Sequence, residues 1–167
     1  MIARAFCIAA HSAVGQRRKY TGEPYWHHPQ EVVSLLVHYV GQDRDMLSAA
    51  WLHDVLEDTG VTAEDLREVF SEHVVEMVVQ LTDVSKPSDG NRAACKALDR
   101  LHLSKAWPIV KTIKLADLIC NSRSIIERDP EFAKVYLEEK RLLLEVLKEG
   151  DQTLWEMAKK IVEDAPW

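Results

Sequence analysis

Residues 49–60 read Ala-Ala-Trp-Leu-His-Asp-Val-Leu-Glu-Asp-Thr-Gly. Ala49 to Leu52 and Val55-Leu56 form an apolar, helix-competent run, and four polar groups, His53, Asp54, Glu57 and Asp58, are set into its end. Taking an ionised carboxylate out of water costs several kcal/mol unless it is paired or bound to a cation. A fold that buries this run must therefore bring positive charge to it, and a divalent cation is the most compact source. On a continuous helix, His53 faces Glu57 and Asp54 faces Asp58, each pair four residues apart on one side. Gly60 then reads as the helix stop. Two metal donors would sit one turn before two acids free for proton work. The competing reading is a solvated acidic helix C-terminus, an arrangement the helix dipole disfavours.

The remaining apolar pattern is helical throughout. Phe6, Ala9, Ala10 and Ala13 predict a helix over 2–14. Gly15, Gly22, Pro24 and Pro29 predict a loop over 15–29, with Pro29 in the first turn of a helix over 30–40. Asp43 is placed to cap the helix carrying His53. Thr62 with Asp65 predicts a capping box for a helix whose apolar face uses Leu66, Val69 and Phe70. Further helices are expected over 72–81, 92–104 and 109–127, from Pro130 to Gly150, and over 151–163, with a loop at 83–91. No strand-period alternation or fixed repeat stands out. The expected fold is an all-α, compact helical bundle, a single domain over residues 1–167, since no long linker interrupts it.

Charge and cysteine usage narrow the function. The formal net charge is −6, so a polymeric nucleic-acid partner is not expected; an anionic small ligand needs only local positive charge. Cys7, Cys95 and Cys120 show no paired ligand spacing, as for free thiols in a reducing compartment. No run of about 18 apolar residues suggests a membrane span, and the first residues lack a signal-peptide pattern. The expectation is a cytoplasmic protein with no membrane partner. Oligomeric state is not legible.

Metal-ligating residue types recur at four places: His27-His28, His53-Asp54, the acids at 57–58, and Asp117. Asp117 lies between Leu115, Ala116, Leu118 and Ile119, with Asn121 one turn and Ser124 two turns on. That stripe reads either as a polar wall facing a cavity or as a satisfied buried hydrogen-bond network.

Taken together, Arg18-Lys19, Gly22-Glu23-Pro24-Tyr25, His28-Pro29, Leu52 to Thr59, Leu81-Thr82-Asp83 and Lys114-Leu115-Ala116-Asp117 with Asn121 resemble the HD-domain metal-dependent phosphohydrolases. The resemblance is closer to one branch, the hydrolase domains of RelA/SpoT-type proteins and the small stand-alone alarmone hydrolases, and covers about residues 3–148. It implies an all-α HD domain with Mn²⁺ held by His28, His53, Asp54 and Asp117. It implies that Glu57 and Asp58 assist hydrolysis, that Arg18 and Lys19 contact the nucleotide, and that Asn121 and Ser124 line its pocket. Ser124 stands where relatives often carry Thr and keeps the hydroxyl. Mixed imidazole and carboxylate donors suit Mn²⁺, Fe²⁺ or Zn²⁺, so donor chemistry alone leaves the metal open.

The implied activity is removal of the 3′-pyrophosphate from guanosine tetra- or pentaphosphate, with a phosphorylated guanine nucleotide as partner. No synthetase segment is seen up to Trp167, so alarmone synthesis is not expected. Two alternatives stay open: another nucleotide phosphatase or pyrophosphatase of the same superfamily, and a non-catalytic HD nucleotide-sensing module. The complete ligand set with Glu57-Asp58 argues against the second. The basic segment 86–105, with Lys86, Arg92, Lys96, Arg100 and Lys105, reads either as a phosphate contact or as a solvated helix face.

Overall fold

The structure, a computed structural model, describes residues 2–165, and the apolar periodicity is realised in them as a series of helices joined by loops. Met1, Pro166 and Trp167, the limits of the expected 1–167 domain, lie outside the described residues. Among the described residues β-pairing amounts to one isolated bridge, between Arg17 and Pro24. The all-α expectation is met. Contacts divide the chain into two compact units, one ending at Thr82 and one starting at Asp83.

The first unit holds α1 (Ile2–Ala13), α2 (His27–Tyr39), α3 (Arg44–Leu52), α4 (Val55–Asp58), α5 (Ala63–Arg67) and α6 (Glu72–Leu81). Helix α3 is its centre and packs against α1, α2 and α6. Its sequence explains this role, because Met46, Leu47, Ala49, Ala50, Trp51 and Leu52 are all buried. Ala49 and Ala50 have no bulk beyond Cβ, so neighbouring helices can approach closely. Asp43 starts α3 as expected, its carboxylate accepting from the Met46 N–H at 2.8 Å. Thr62 and Asp65 form the expected capping box on α5, and Ser71 caps α6.

Three sequence expectations change here. The run 49–60 is not one helix: α3 ends at Leu52, and α4 restarts at Val55. Asp54 sits at φ −102°, ψ −2°, the sparsely occupied bridge region where functional residues often lie. Helix α2 begins two residues before Pro29, at His27. Val69 is 47% exposed, because α5 closes early and the Phe70 N–H turns back to the Leu66 carbonyl at 2.8 Å.

The second unit holds a 3₁₀ turn (Pro87–Asp89), α7 (Arg92–Ser104), α8 (Pro108–Arg128), α9 (Pro130–Leu144) and α10 (Gln152–Glu163). Helices α8, α9 and α10 pack mutually. Pro108 and Pro130 each occupy the first turn of a helix, where a missing N–H has no cost. Asn91, Asp129 and Asp151 cap α7, α9 and α10. Helix α9 stops at Leu144, short of Gly150, and two of its apolar residues, Val135 and Leu142, are more than half exposed.

Gly150 serves a different purpose from the expected helix stop. A Cβ there would lie 3.1 Å from the Lys111 carbonyl carbon and the Thr112 nitrogen, both α8 backbone, and 2.8 Å from Leu115 Cδ1. Backbone cannot swing aside as a side-chain tip can. Gly150→Ala is therefore expected to destabilise the protein by about 1–3 kcal/mol, the usual range for overpacking. Urea unfolding followed by circular dichroism checks this, as a lower midpoint at unchanged slope.

Candidate functional site

The break between α3 and α4 aims its two polar residues. His53 is buried, and its Nδ1 lies 2.7 Å from the Ala50 carbonyl oxygen. A carbonyl only accepts, so Nδ1 carries a proton and donates it, which also satisfies one of the last carbonyls of α3. In a neutral ring that leaves Nε2 as a lone pair. It lies 2.9 Å from Asp54 Oδ2, itself an acceptor. Two acceptors at that distance repel unless positive charge binds both, either a proton on Nε2 or a metal ion.

The same oxygen is a point of convergence. Tyr25 donates its hydroxyl to Asp54 Oδ2 at 2.6 Å, and His28 Nε2 lies 3.8 Å away. The rings of His28 and His53 stand edge to face with centroids 5.3 Å apart, and a nitrogen of each lies within 4.8 Å of one on the other. His28 is brought in by the first turn of α2 and is buried. Two imidazoles and a carboxylate, gathered among buried apolar side chains, fit a divalent transition metal. Cys7 lies buried on α1, and its thiol is pushed up to about 12, first by burial and then by the negative charge of Asp54.

Asp117 is presented by the second unit, near the middle of α8, and is buried. Asn121, one turn on, donates Nδ2–H to Oδ1 at 2.6 Å, and Lys114 Nζ lies 3.0 Å from Oδ2. The Asp-Asn part of the expected polar stripe is therefore a bonded pair. Ser124 is half-buried on the same helix.

The family profile described as the HD domain matches residues 3–143. The chain belongs to the HD domain family. A probable guanosine-3′,5′-bis(diphosphate) 3′-pyrophosphohydrolase of Synechocystis is 38% identical over 134 residues, 78% of this chain and 17% of that protein. The bifunctional (p)ppGpp synthase/hydrolase SpoT of Escherichia coli K12 is 34% identical over 131 residues, 77% of this chain and 18% of that protein. The chain thus spans under a fifth of the length of these two relatives. A solved structure of a metazoan SpoT ortholog, described as hydrolysing ppGpp, superposes with a TM-score of 0.88 at 26% identity, covering 99% of this chain and 94% of that one.

Around the HD motif, the other expected residues fall into place unevenly. Glu57 and Asp58 are exposed at the end of α4. Asp58 Oδ2 accepts from Gln16 Nε2 at 2.8 Å, while Gln16 Oε1 accepts from His11 Nδ1 at 2.6 Å. The buried His11 thereby fixes which way the Gln16 amide points, and so where Asp58 is held. Arg18 is mostly buried and paired with Glu31 at 2.7 Å. Lys19 is exposed, its ammonium 4.8 Å above the Tyr20 ring. His11 and Gln16 carry no sequence signal of this role: Asp58 is 42 residues from Gln16, and His11 reads as one isolated histidine. Tyr25 belongs to the family-like Gly-Glu-Pro-Tyr string, but only the structure shows it holding Asp54.

Proposed function

We propose that this HD domain protein is a metal-dependent hydrolase that removes the 3′-pyrophosphate of guanosine tetra- or pentaphosphate. The observation that carries the reading is the pairing of His53 Nε2 with Asp54 Oδ2 at 2.9 Å while His53 Nδ1 donates to Ala50, an arrangement that calls for positive charge between them, and His28 beside it makes a divalent ion the proposed source. The names of the relatives and of the superposed structure supply the substrate class. His28, His53 and Asp54 are the assigned ligands from the first unit, and the family pattern assigns Asp117 as a further one. Mn²⁺ is the proposed metal, and residues 1–167 are proposed to act as one HD domain.

A divalent ion bound there supplies Lewis acidity toward phosphate oxygens and water. The protein's own groups do the rest. Hydrolysis adds water across the ester between the ribose 3′-oxygen and the pyrophosphate. Glu57 or Asp58 accepts the proton of the attacking water, and a proton is returned to the departing 3′-oxygen. Gln16, held by His11, keeps Asp58 oriented for this. Tyr25 and the Ala50 carbonyl fix the Asp54 carboxylate and the His53 ring, as groups behind metal ligands usually do. Arg18 and Lys19 hold the nucleotide by charge, offsetting the acidic site locally. Asn121 and Ser124 are assigned to the nucleotide pocket, with Asn121 also restraining Asp117.

The test is pyrophosphate release from guanosine tetraphosphate by chelator-stripped protein resupplied with Mn²⁺, Mg²⁺, Fe²⁺ or Zn²⁺, beside a panel of other phosphorylated nucleotides. Turnover restored best by Mn²⁺, with guanosine tetraphosphate the best substrate, is the expected result. Turnover unaffected by stripping would refute the metal, and preference for another nucleotide would refute the substrate.

A further inference from the structure

The second unit contains a cavity of about 60 Å³ between the end of the Asp83 loop, α7, α8 and α9. Its wall carries four cationic side chains, Lys96, Arg100, Lys114 and Lys140, against three carboxylates. Every carboxylate is already engaged. Asp83 pairs with Lys96 at 2.7 Å. Asp99, buried, accepts from the N–H groups of Val84 and Ser85 at 3.1 and 2.9 Å, and from Lys96 at 3.2 Å. Glu139 receives both Nε and Nη2 of Arg92, at 2.6 and 2.9 Å. Lys114 has its partner in Asp117.

Lys96 serves both Asp83 and Asp99, so the cluster with its partners Arg92 and Asp117 carries one positive charge in excess, and two cations have no carboxylate paired to them. Among the described residues Arg100 makes no ion pair or hydrogen bond, and Lys140 contacts only the face of Tyr136, its ammonium 4.6 Å from the ring centre. Burial first, then the charge of Lys114, pulls the Lys140 ammonium down to about 8, against the opposing pull of Asp117 and Glu139. Surplus positive charge turned into a cavity lowers its free energy by taking up an anion from outside.

We propose that this cavity is an oxyanion site of the phosphate class, with Arg100 and Lys140 as its recognition groups. A guanidinium fork beside an ammonium point charge is the pairing that reads phosphate oxygens. The size agrees: where one water needs roughly 10–15 Å³ on the same measure, about 60 Å³ gives room for a tetrahedral oxyanion. The occupant is either a phosphate group of a nucleotide or free phosphate. The site stands on its own residues, whether or not guanosine tetraphosphate is the substrate.

The experiment titrates the full chain with inorganic phosphate at low ionic strength, following the Arg100 Nε–Hε and Lys140 side-chain NMR signals. Saturable shifts at both are expected. Arg100→Gln and Lys140→Gln should each weaken binding at least tenfold, while Arg128→Gln, on an exposed arginine, should not. If either neutral variant fails to fold, Arg100→Lys, which keeps the charge and loses the fork, should give intermediate affinity. Shifts spread over exposed lysines without saturation, or equal affinity in wild type and both variants, would overturn the proposal. Repeating the titration with guanosine tetraphosphate and chelator present tells the sources apart. Displacement of phosphate assigns the site to a nucleotide phosphate, and joint occupancy assigns it to the free ion. Loss of hydrolysis alone touches neither result.

Discussion

His53→Ala is expected to abolish metal binding and turnover together. The substitution removes Nε2, the lone pair placed against Asp54 Oδ2, and also the Nδ1–H that closes onto the Ala50 carbonyl. Losing a group behind a ligand typically lowers metal affinity roughly 10–100-fold. Losing the ligand itself should cost more, and elemental analysis of dialysed protein should find the variant essentially metal-free. His27→Ala is the matched control. His27 is adjacent to the proposed ligand His28, but its ring is stacked on Trp26 at 4.0 Å, so metal and activity should stay near wild type. His53→Ala protein that folds, as judged by its circular dichroism spectrum, yet keeps full metal content would place the ion elsewhere. The two substitutions therefore separate a site centred on the α3–α4 break from one that merely uses any nearby imidazole.

That break shows what a one-dimensional reading can and cannot see. The apolar spacing, the caps at Asp43 and Thr62, and the prolines opening α8 and α9 all act within a few residues, so they were legible in the sequence. That Asp54 would need partners was legible too, since an acid placed beside Trp51-Leu52 and Val55-Leu56 demands compensation, and Tyr25 and His53 stand against it. The mechanism by which His53 and Asp54 are aimed was not. Continuous helical geometry would set His53 over Glu57 and Asp54 over Asp58, whereas the chain leaves helical conformation at Asp54 and restarts. No glycine or proline marks the spot. The carbonyl freed at the end of α3 is taken by the His53 ring, a side-chain contact that propensity does not encode.

Longer-range relations were hidden for a related reason. Tyr25 reaches Asp54 across 29 residues, and Gln16 reaches Asp58 across 42. Such pairings depend on how α1 and α2 pack against α3, which the periodicity of any one helix leaves unspecified. Val135 and Leu142 err in the opposite direction. Both match the apolar spacing of α9, yet both face solvent, because spacing defines a stripe and packing decides how wide a stripe is covered. Gly150 reads as a helix stop from sequence, and only the approach of the α8 backbone reveals why a side chain is excluded there.

The last expectation separates proton transfer from metal binding. Glu57 and Asp58 lie at the exposed end of α4, the helix that restarts directly after Asp54. They are proposed to act on the attacking water, not on the ion. Glu57→Gln keeps the shape and hydrogen-bonding reach of the side chain and removes the base. Metal content should remain near wild type while kcat falls by roughly 10²–10⁴-fold, the usual contribution of a positioned acid–base group. Asp58→Asn, in which Gln16 can still meet the remaining carbonyl oxygen, tells which of the two acids carries the larger share. Gln16→Leu should lower kcat with little change in KM, since it frees Asp58 without touching a group assigned to nucleotide binding. Metal content by elemental analysis and pyrophosphate release from guanosine tetraphosphate are measured on the same preparations. A non-catalytic domain would show no metal-dependent release even in the wild type. A Glu57→Gln and Asp58→Asn pair that each keep their metal and full turnover would remove both acids from the proton path and leave their place at the rim of the site without a chemical role.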